Sequence, residues 1–166
     1  VSTAPVIGRS VRRKEDPDLL RGHAGFVDDL HRDAGLEATV LRSPHAHARI
    51  ASMDLSAARA APGVVDVVVA ADLPDRGPAI PMRMFKRPGM ERFLQRPLAD
   101  DKVRYVGEPV AVIVATSRYL AEDAAELVQV EYEPLEAVTG IEAAQADGAP
   151  LLHEHAGTNR TAEFEL

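Results

Sequence analysis

The stretch from Asp100 to Ala115, DDKVRYVGEPVAVIVA, constrains the fold more than any other part of this chain, because its pattern changes twice within a short span. Val103 and Tyr105 alternate with Lys102 and Arg104, the period-two signature of a strand with one wet face. Gly107-Glu108-Pro109 then interrupts, and an unbroken apolar run rich in β-branched residues, Val110 to Ala115, follows. Such a run suits a strand covered on both faces, which requires layers above and below it. The expected class is therefore α/β with a real core.

Composition agrees with a folded domain. Hydrophobic residues make up 46% and charged residues 27%, close to ordinary globular values. A chain of 166 residues can bury roughly 70% of the surface its unfolded form exposes, so it needs no disulfide or metal to fold. It contains no cysteine, which excludes disulfides, thiolate nucleophiles and a self-ligated iron–sulfur cluster, and fits a cytoplasmic location. The N-terminal VSTAPVIGRSVRRKED has no apolar core of signal-peptide length, and nowhere do about 18 apolar residues run together; no export or membrane partner is expected. The net charge of −7 repels a phosphate backbone and argues against a nucleic-acid partner. Local basic clusters remain, at Arg9, Arg12, Arg13 and Lys14 and again from Arg83 to Arg96, and could meet a protein or an anionic cofactor.

Along the chain, strands are expected at Leu36–Arg42, Arg49–Leu55 and Val64–Ala70, with a short helix at Ser56–Ala61 that Asp54 or Ser56 caps and Pro62-Gly63 ends. The second half repeats the order: strand Val110–Ala115, helix Ser117–Leu127, strand Val128–Glu133. Leu120, Ala124 and Leu127 share one face of that helix. These two strand-helix-strand halves around a mixed sheet give an α/β (α+β) fold in a single domain, residues 1–166, with its core at about 7–155 and flexible ends at 1–6 and 156–166. Between the halves, residues 74–97 form a long basic loop in which Met82, Met84, Phe85, Met90 and Phe93 mix with Arg83, Lys86, Arg87, Arg92 and Arg96. A loop of this length is a solvated insertion, a docking surface for another polypeptide, or a wall of a substrate or cofactor site. The tail from Gly148 reads as a departing strand or linker.

Few residues suggest chemistry. His45-Ala46-His47 and His153-Glu154-His155 are HxH pairs that could chelate a metal if extended, but neither has a fixed third ligand, so both read as structural histidines. Glu108, at the mouth of the apolar strand, could be a general base with a raised pKa; a Gly-Glu-Pro turn with its carboxylate in water is the simpler reading. Asp28-Asp29 and Asp100-Asp101 are acidic pairs of the kind that bond nearby backbone amides. Neither GxGxxG, GxxxxGK[ST] nor GxSxG occurs. No catalytic, cofactor-binding or metal residue is assigned.

The wording of several segments carries a resemblance: Ile7-Gly8-Arg9 with Arg13 and Asp16-Pro17, LRGHAGFVDDL from Leu20 to Leu30, RSPHAHARI from Arg42 to Ile50, APGVV from Ala61 to Val65, DDKVRYVGEPVAVIVA, and AEDAAELVQVEYEPLEAV from Ala121 to Val138. In this shared order they resemble the opening α/β hammerhead domain of the large, molybdopterin-binding subunit in the xanthine dehydrogenase, aldehyde oxidase and aerobic carbon monoxide dehydrogenase family. The likeness spans about residues 7–155. It implies a hammerhead component of a molybdenum hydroxylase, in which a molybdopterin-bound metal transfers a water-derived oxygen to the substrate and electrons pass to [2Fe–2S] clusters and FAD on partner domains or subunits. No residue here matches that family's catalytic glutamate or pterin-binding loops. The implied role is therefore structural, with the cofactors on partner chains and the remainder of the large subunit as the first partner. The other reading the sequence leaves open is a solitary, non-catalytic interaction module or a truncated remnant of that family.

Overall fold

The computed structural model describes residues 7–27, 35–82 and 88–163. The chain divides into two compact units, Val1–Gly35 and Leu36–Leu166. In the first, Pro17 fits the opening turn of a short helix, α1 (Asp16–Leu20), because its missing N–H would have had no partner there. No residue of α1 is buried.

The second unit holds the sheets. Its elements in order are β1 (Glu37–Arg42), β2 (Ala48–Asp54), α2 (Ser56–Ala60), β3 (Val64–Val69), β4 (Lys102–Val103), β5 (Pro109–Ala115), α3 (Arg118–Glu126), β6 (Gln129–Pro134) and α4 (Ile141–Gln145). Strands and helices fall where apolar alternation and capping residues place them. Asp54 accepts a hydrogen bond from the Ser56 amide at 2.8 Å, and Ser117 accepts one from Leu120 at 3.4 Å, so each helix begins on a polar side chain.

The sheet arrangement differs from the expected single mixed sheet. Two three-stranded sheets form, ordered β1-β5-β3 and β4-β2-β6, and every pairing is antiparallel. Each strand-helix-strand half sends one strand to each sheet: α2 carries the chain from β2 to β3, and α3 carries it from β5 to β6. The helices therefore connect sheets instead of closing parallel crossovers. The order of elements was readable; which strands pair is a long-range matter that local periodicity does not encode.

The first core lies where α2 and α3 cover the β1-β5-β3 sheet. Ala58, Val67, Ala111, Ile113, Ala115, Ala121, Ala124 and Ala125 are all buried in it. Alanines on the inner face of α3 let the helix sit close to the strands, and Leu120 packs at the margin, while Leu127 is 43% exposed and does not join the expected stripe. Gly63 permits the closest approach. Its φ is +76°, and a Cβ there would lie 2.5 Å from Leu120 Cδ1, so both conformation and space demand glycine.

Two-sided burial of β5 holds only in part. Ala111, Ile113 and Ala115 are fully buried against the helices, and on the other face Val110 is buried in a second, smaller core with Ala48, Ala99 and Val103. The β4-β2-β6 sheet covers only this beginning of the strand. Val112 and Val114 stay half-buried. Register places Val40, Val112 and Val68 side by side across the three strands, an apolar row on the outer face of the sheet.

Candidate functional site

The alternation at Lys102–Tyr105 does not hold in the structure, although Val103 is buried as expected. Lys102, expected on the wet face, is fully buried, and Tyr105 is 39% exposed. The cause lies far along the chain: the stretch from Gly148, instead of departing as a strand, folds back over this face. Lys102 Nζ reaches Glu154 at 2.9 Å and donates to the Leu151 carbonyl at 3.4 Å. Arg104 donates through Nε to Leu152 O at 3.1 Å and through Nη1 to Lys102 O at 2.9 Å. Asn159 closes the turn, accepting from the Leu152 amide and donating to the Pro150 and Ala144 carbonyls. Two cations with long apolar stems thus fasten the tail, which a period-two pattern cannot reveal.

Glu108 also departs from expectation. Its carboxylate is buried, 5% exposed, and accepts a hydrogen bond from the Arg104 amide. Burial holds its pKa above the ordinary glutamate value, opposed by the Arg104 amide and guanidinium. The surrounding turn is locked to Ser43: the Gly107 amide donates to Ser43 O at 2.8 Å and the Ser43 amide donates to Glu108 O at 2.9 Å. The turn reading survives, the water-exposed carboxylate does not. Glu108 satisfies a backbone amide where sheet and turn meet.

This places Glu108 beside residues remote in sequence. Asp100, Asp101, Arg104, Glu108, His153 and His155 line one small cavity of about 80 Å³. Its charges are already engaged: Asp100 pairs with Arg76, and Asp101 lies 3.7 Å from Arg104. The His155 Nε2 lies 2.7 Å from the Arg92 carbonyl, so that nitrogen carries the proton, and His153 stacks edge-on between Phe93 and His155. Burial lowers the His153 pKa, helped by the positive charge of Arg104. The two histidines are not joined by a third ligand; among the described residues no group of three His, Cys, Asp or Glu is placed to hold a metal ion. Asp28 and Asp29 lie outside the described residues, as do Arg83, Met84, Phe85, Lys86 and Arg87 of the basic loop. The remaining loop cations are exposed and donate to backbone carbonyls, Arg92 to Ala156 and Arg96 to Gly77.

The first HxH pair divides as well. The His45 ring packs on Tyr132 with centroids 4.8 Å apart. His47 is only 6% exposed, and its Nδ1 lies 2.7 Å from the Glu136 carbonyl. A carbonyl can only accept, so Nδ1 carries the proton and Nε2 of the neutral ring is an acceptor. That Nε2 is buried and has no partner among the described residues, a state that costs about 1–3 kcal/mol. His47 lines a second cavity of about 320 Å³, walled by Met82, Phe93, Val138, Pro150 and Leu152 and meeting the first at His153. The sequence signal for this site was the HxH pair itself, read for metal and not for tautomer.

Fold and site together define a two-sheet α/β domain in which Lys102, Arg104, Glu108, His47 and His155 bond other segments, beside an apolar cavity. Its sequence matches the family model "aldehyde oxidase and xanthine dehydrogenase, a/b hammerhead domain" over residues 21–136, and the chain belongs to that family. It is 41% identical over 148 residues to the carbon monoxide dehydrogenase large chain of Afipia carboxidovorans, a match that takes in 89% of this chain and 18% of that one. The quinoline 2-oxidoreductase structure from Pseudomonas putida 86 superimposes with a TM-score of 0.67 at 48% identity, over 82% of this chain and 17% of that one. The nicotinate dehydrogenase large molybdopterin subunit of Eubacterium barkeri is 31% identical over 160 residues, 96% of this chain and 36% of its own. The chain thus spans less than a fifth of the first two and about a third of the last.

Proposed function

We propose that this chain is the hammerhead component of a molybdenum hydroxylase, a structural part of the large subunit whose molybdopterin site is carried by the rest of that subunit. The observation that carries this reading is the share of its relatives that the chain represents: a single domain's worth, matched nearly end to end. The half-exposed valine row agrees with it. Val40, Val112 and Val68 form the face that an apolar run such as Val110–Ala115 would have covered on both sides, and a further layer from the remainder of the subunit supplies that cover.

Molybdopterin does not fit the residues described. Its phosphate calls for a glycine-rich nest or a free cation. A polar cleft of about 350 Å³ between Ala144 and Arg160 offers a single guanidinium that already meets Glu163 at 3.3 Å and Gln145 at 3.5 Å. On this reading the cofactor is held by the partner portion, together with the [2Fe–2S] and FAD components, and the contribution of this chain is structural. The shorter nicotinate dehydrogenase subunit supports a division of the large subunit between chains, since this chain makes up twice the share of it.

The test is co-expression of the tagged chain with the large-subunit coding sequence adjacent to its own. A stable equimolar complex that contains molybdenum by elemental analysis is expected. Clean separation of the two on size exclusion at micromolar concentration contradicts the proposal.

A further inference from the structure

We propose that the cavity walled by His47, Met82, Phe93, Val138, Pro150 and Leu152 is a socket for one side chain of the remaining large subunit, apolar in body and carrying an N–H or O–H that donates to His47 Nε2. This rests on the reading that the rest of a large subunit docks on this chain.

The polarity of the contact follows from the ring. Nδ1 is committed as donor to the Glu136 carbonyl at 2.7 Å, and in the neutral ring this tautomer makes Nε2 the acceptor. The backbone beside it is fixed as well, because the Leu135 amide donates to the His47 carbonyl at 2.9 Å, and turning Nε2 outward would break the ring's bond to Glu136. An acceptor fixed in this way, buried and unpartnered among the described residues, selects a donor and disfavours a carboxylate or carbonyl. The walls set the body of the occupant. Met82, Phe93, Val138, Pro150 and Leu152 are all half-buried, so they form an apolar rim that is still open. A volume of about 320 Å³ admits a large side chain such as tyrosine or tryptophan, the residues that pair an apolar ring with one donor.

The source of the occupant is argued from length. The chain accounts for 17–18% of the large chains it matches, so most of each relative lies outside the matched region and is available to cover this rim. The alternative, a free small molecule, would have to donate to Nε2 while held by a wall that is half open.

The experiment uses the complex of the chain with its large-subunit remainder and compares wild type, His47→Leu and His47→Gln by titration calorimetry. Leucine keeps an apolar body and removes the acceptor; glutamine restores an oxygen acceptor near the position of Nε2. At least tenfold weaker association is expected for His47→Leu, with most of it recovered in His47→Gln. Hydrogen exchange on the wild-type complex, which needs no variant to fold, should slow at residues 151–153 and at Val138. Wild type that associates while His47→Leu binds equally well and no rim amide slows overturns the socket but leaves the proposed function standing. Wild type that fails to associate at all overturns both. Binding of free phenol or indole to the wild-type complex at the same rim, displaced by no part of the partner, assigns the cavity to a small molecule and overturns the proposal.

Discussion

The two sheets of the Leu36–Leu166 unit are held by different physics. The β1-β5-β3 sheet with α2 and α3 is a dry core of alanine, valine and isoleucine in which nearly every buried group is apolar. The β4-β2-β6 sheet has a smaller apolar core and depends on polar groups, Lys102 and Arg104 reaching far along the chain to the tail, His47 to the Glu136 carbonyl, and Glu108 locally to the Arg104 amide. The first region stabilises itself through contacts it makes alone. The second is fastened at discrete points and retains cavities between them, which is where a further polypeptide can take hold. The difference teaches that in a domain made to be one part of a larger body, the charged residues mark internal fastenings and the open apolar surfaces mark the joints.

The largest expected effect tests the dry core. Ile113 is fully buried at the centre of β5, and Ile113→Ala should cost about 2–5 kcal/mol, read from urea unfolding with every probe lost together. A loss below about 1 kcal/mol would mean that this sheet is not the stability centre. Next, Lys102→Met should act locally. It removes the hydrogen bonds to Leu151 and Glu154 while filling the same space, so amides of residues 151–157 should exchange at least tenfold faster and those of β5 should not change. Equal acceleration in both regions would erase the distinction between them. Gly63→Ala comes third, at about 1–3 kcal/mol in thermal unfolding, from left-handed backbone and the clash with Leu120 together.

The smallest effect is a pH dependence with a definite sign. Burial raises the Glu108 pKa above 4.5, so the native state holds that proton where the unfolded chain has lost it. Stability from this group is complete below 4.5 and is lost as the pH rises through the folded value. Glu154 runs the other way. Its pKa is lowered, first by the Lys102 hydrogen bond, so its contribution is present above 4.5 and is lost as the pH falls through the folded value. Glu108→Gln should therefore gain on wild type between pH 4 and pH 7 in denaturant midpoints; a constant difference across that range contradicts the assignment.

Much of the dry core was legible in the sequence, because its signals are local: alternation in Val64–Val69, a polar cap at Ser117, glycine after proline at Gly63. Pairing was not, since antiparallel partners such as Val40 and Val112 lie far apart in the chain and the same valines suit any neighbour. The fastened region was misread for one reason throughout. Lys102 looks solvated and Glu108 looks like a surface turn until the tail is placed over them, and nothing between Gly148 and Asn159 signals by periodicity that it will return. His47 was noticed for a spacing that turned out not to matter; what matters is the carbonyl that fixes its tautomer.

Native-state hydrogen exchange on the isolated chain, followed through sub-denaturing urea, tests the contrast between the two regions most directly. The Ala111 and Ile113 amides should exchange only through global unfolding, with the full urea dependence, while the Leu152 and Ala156 amides should exchange through a smaller opening at lower free energy. Identical free energies and identical urea slopes for the two sets would contradict the account.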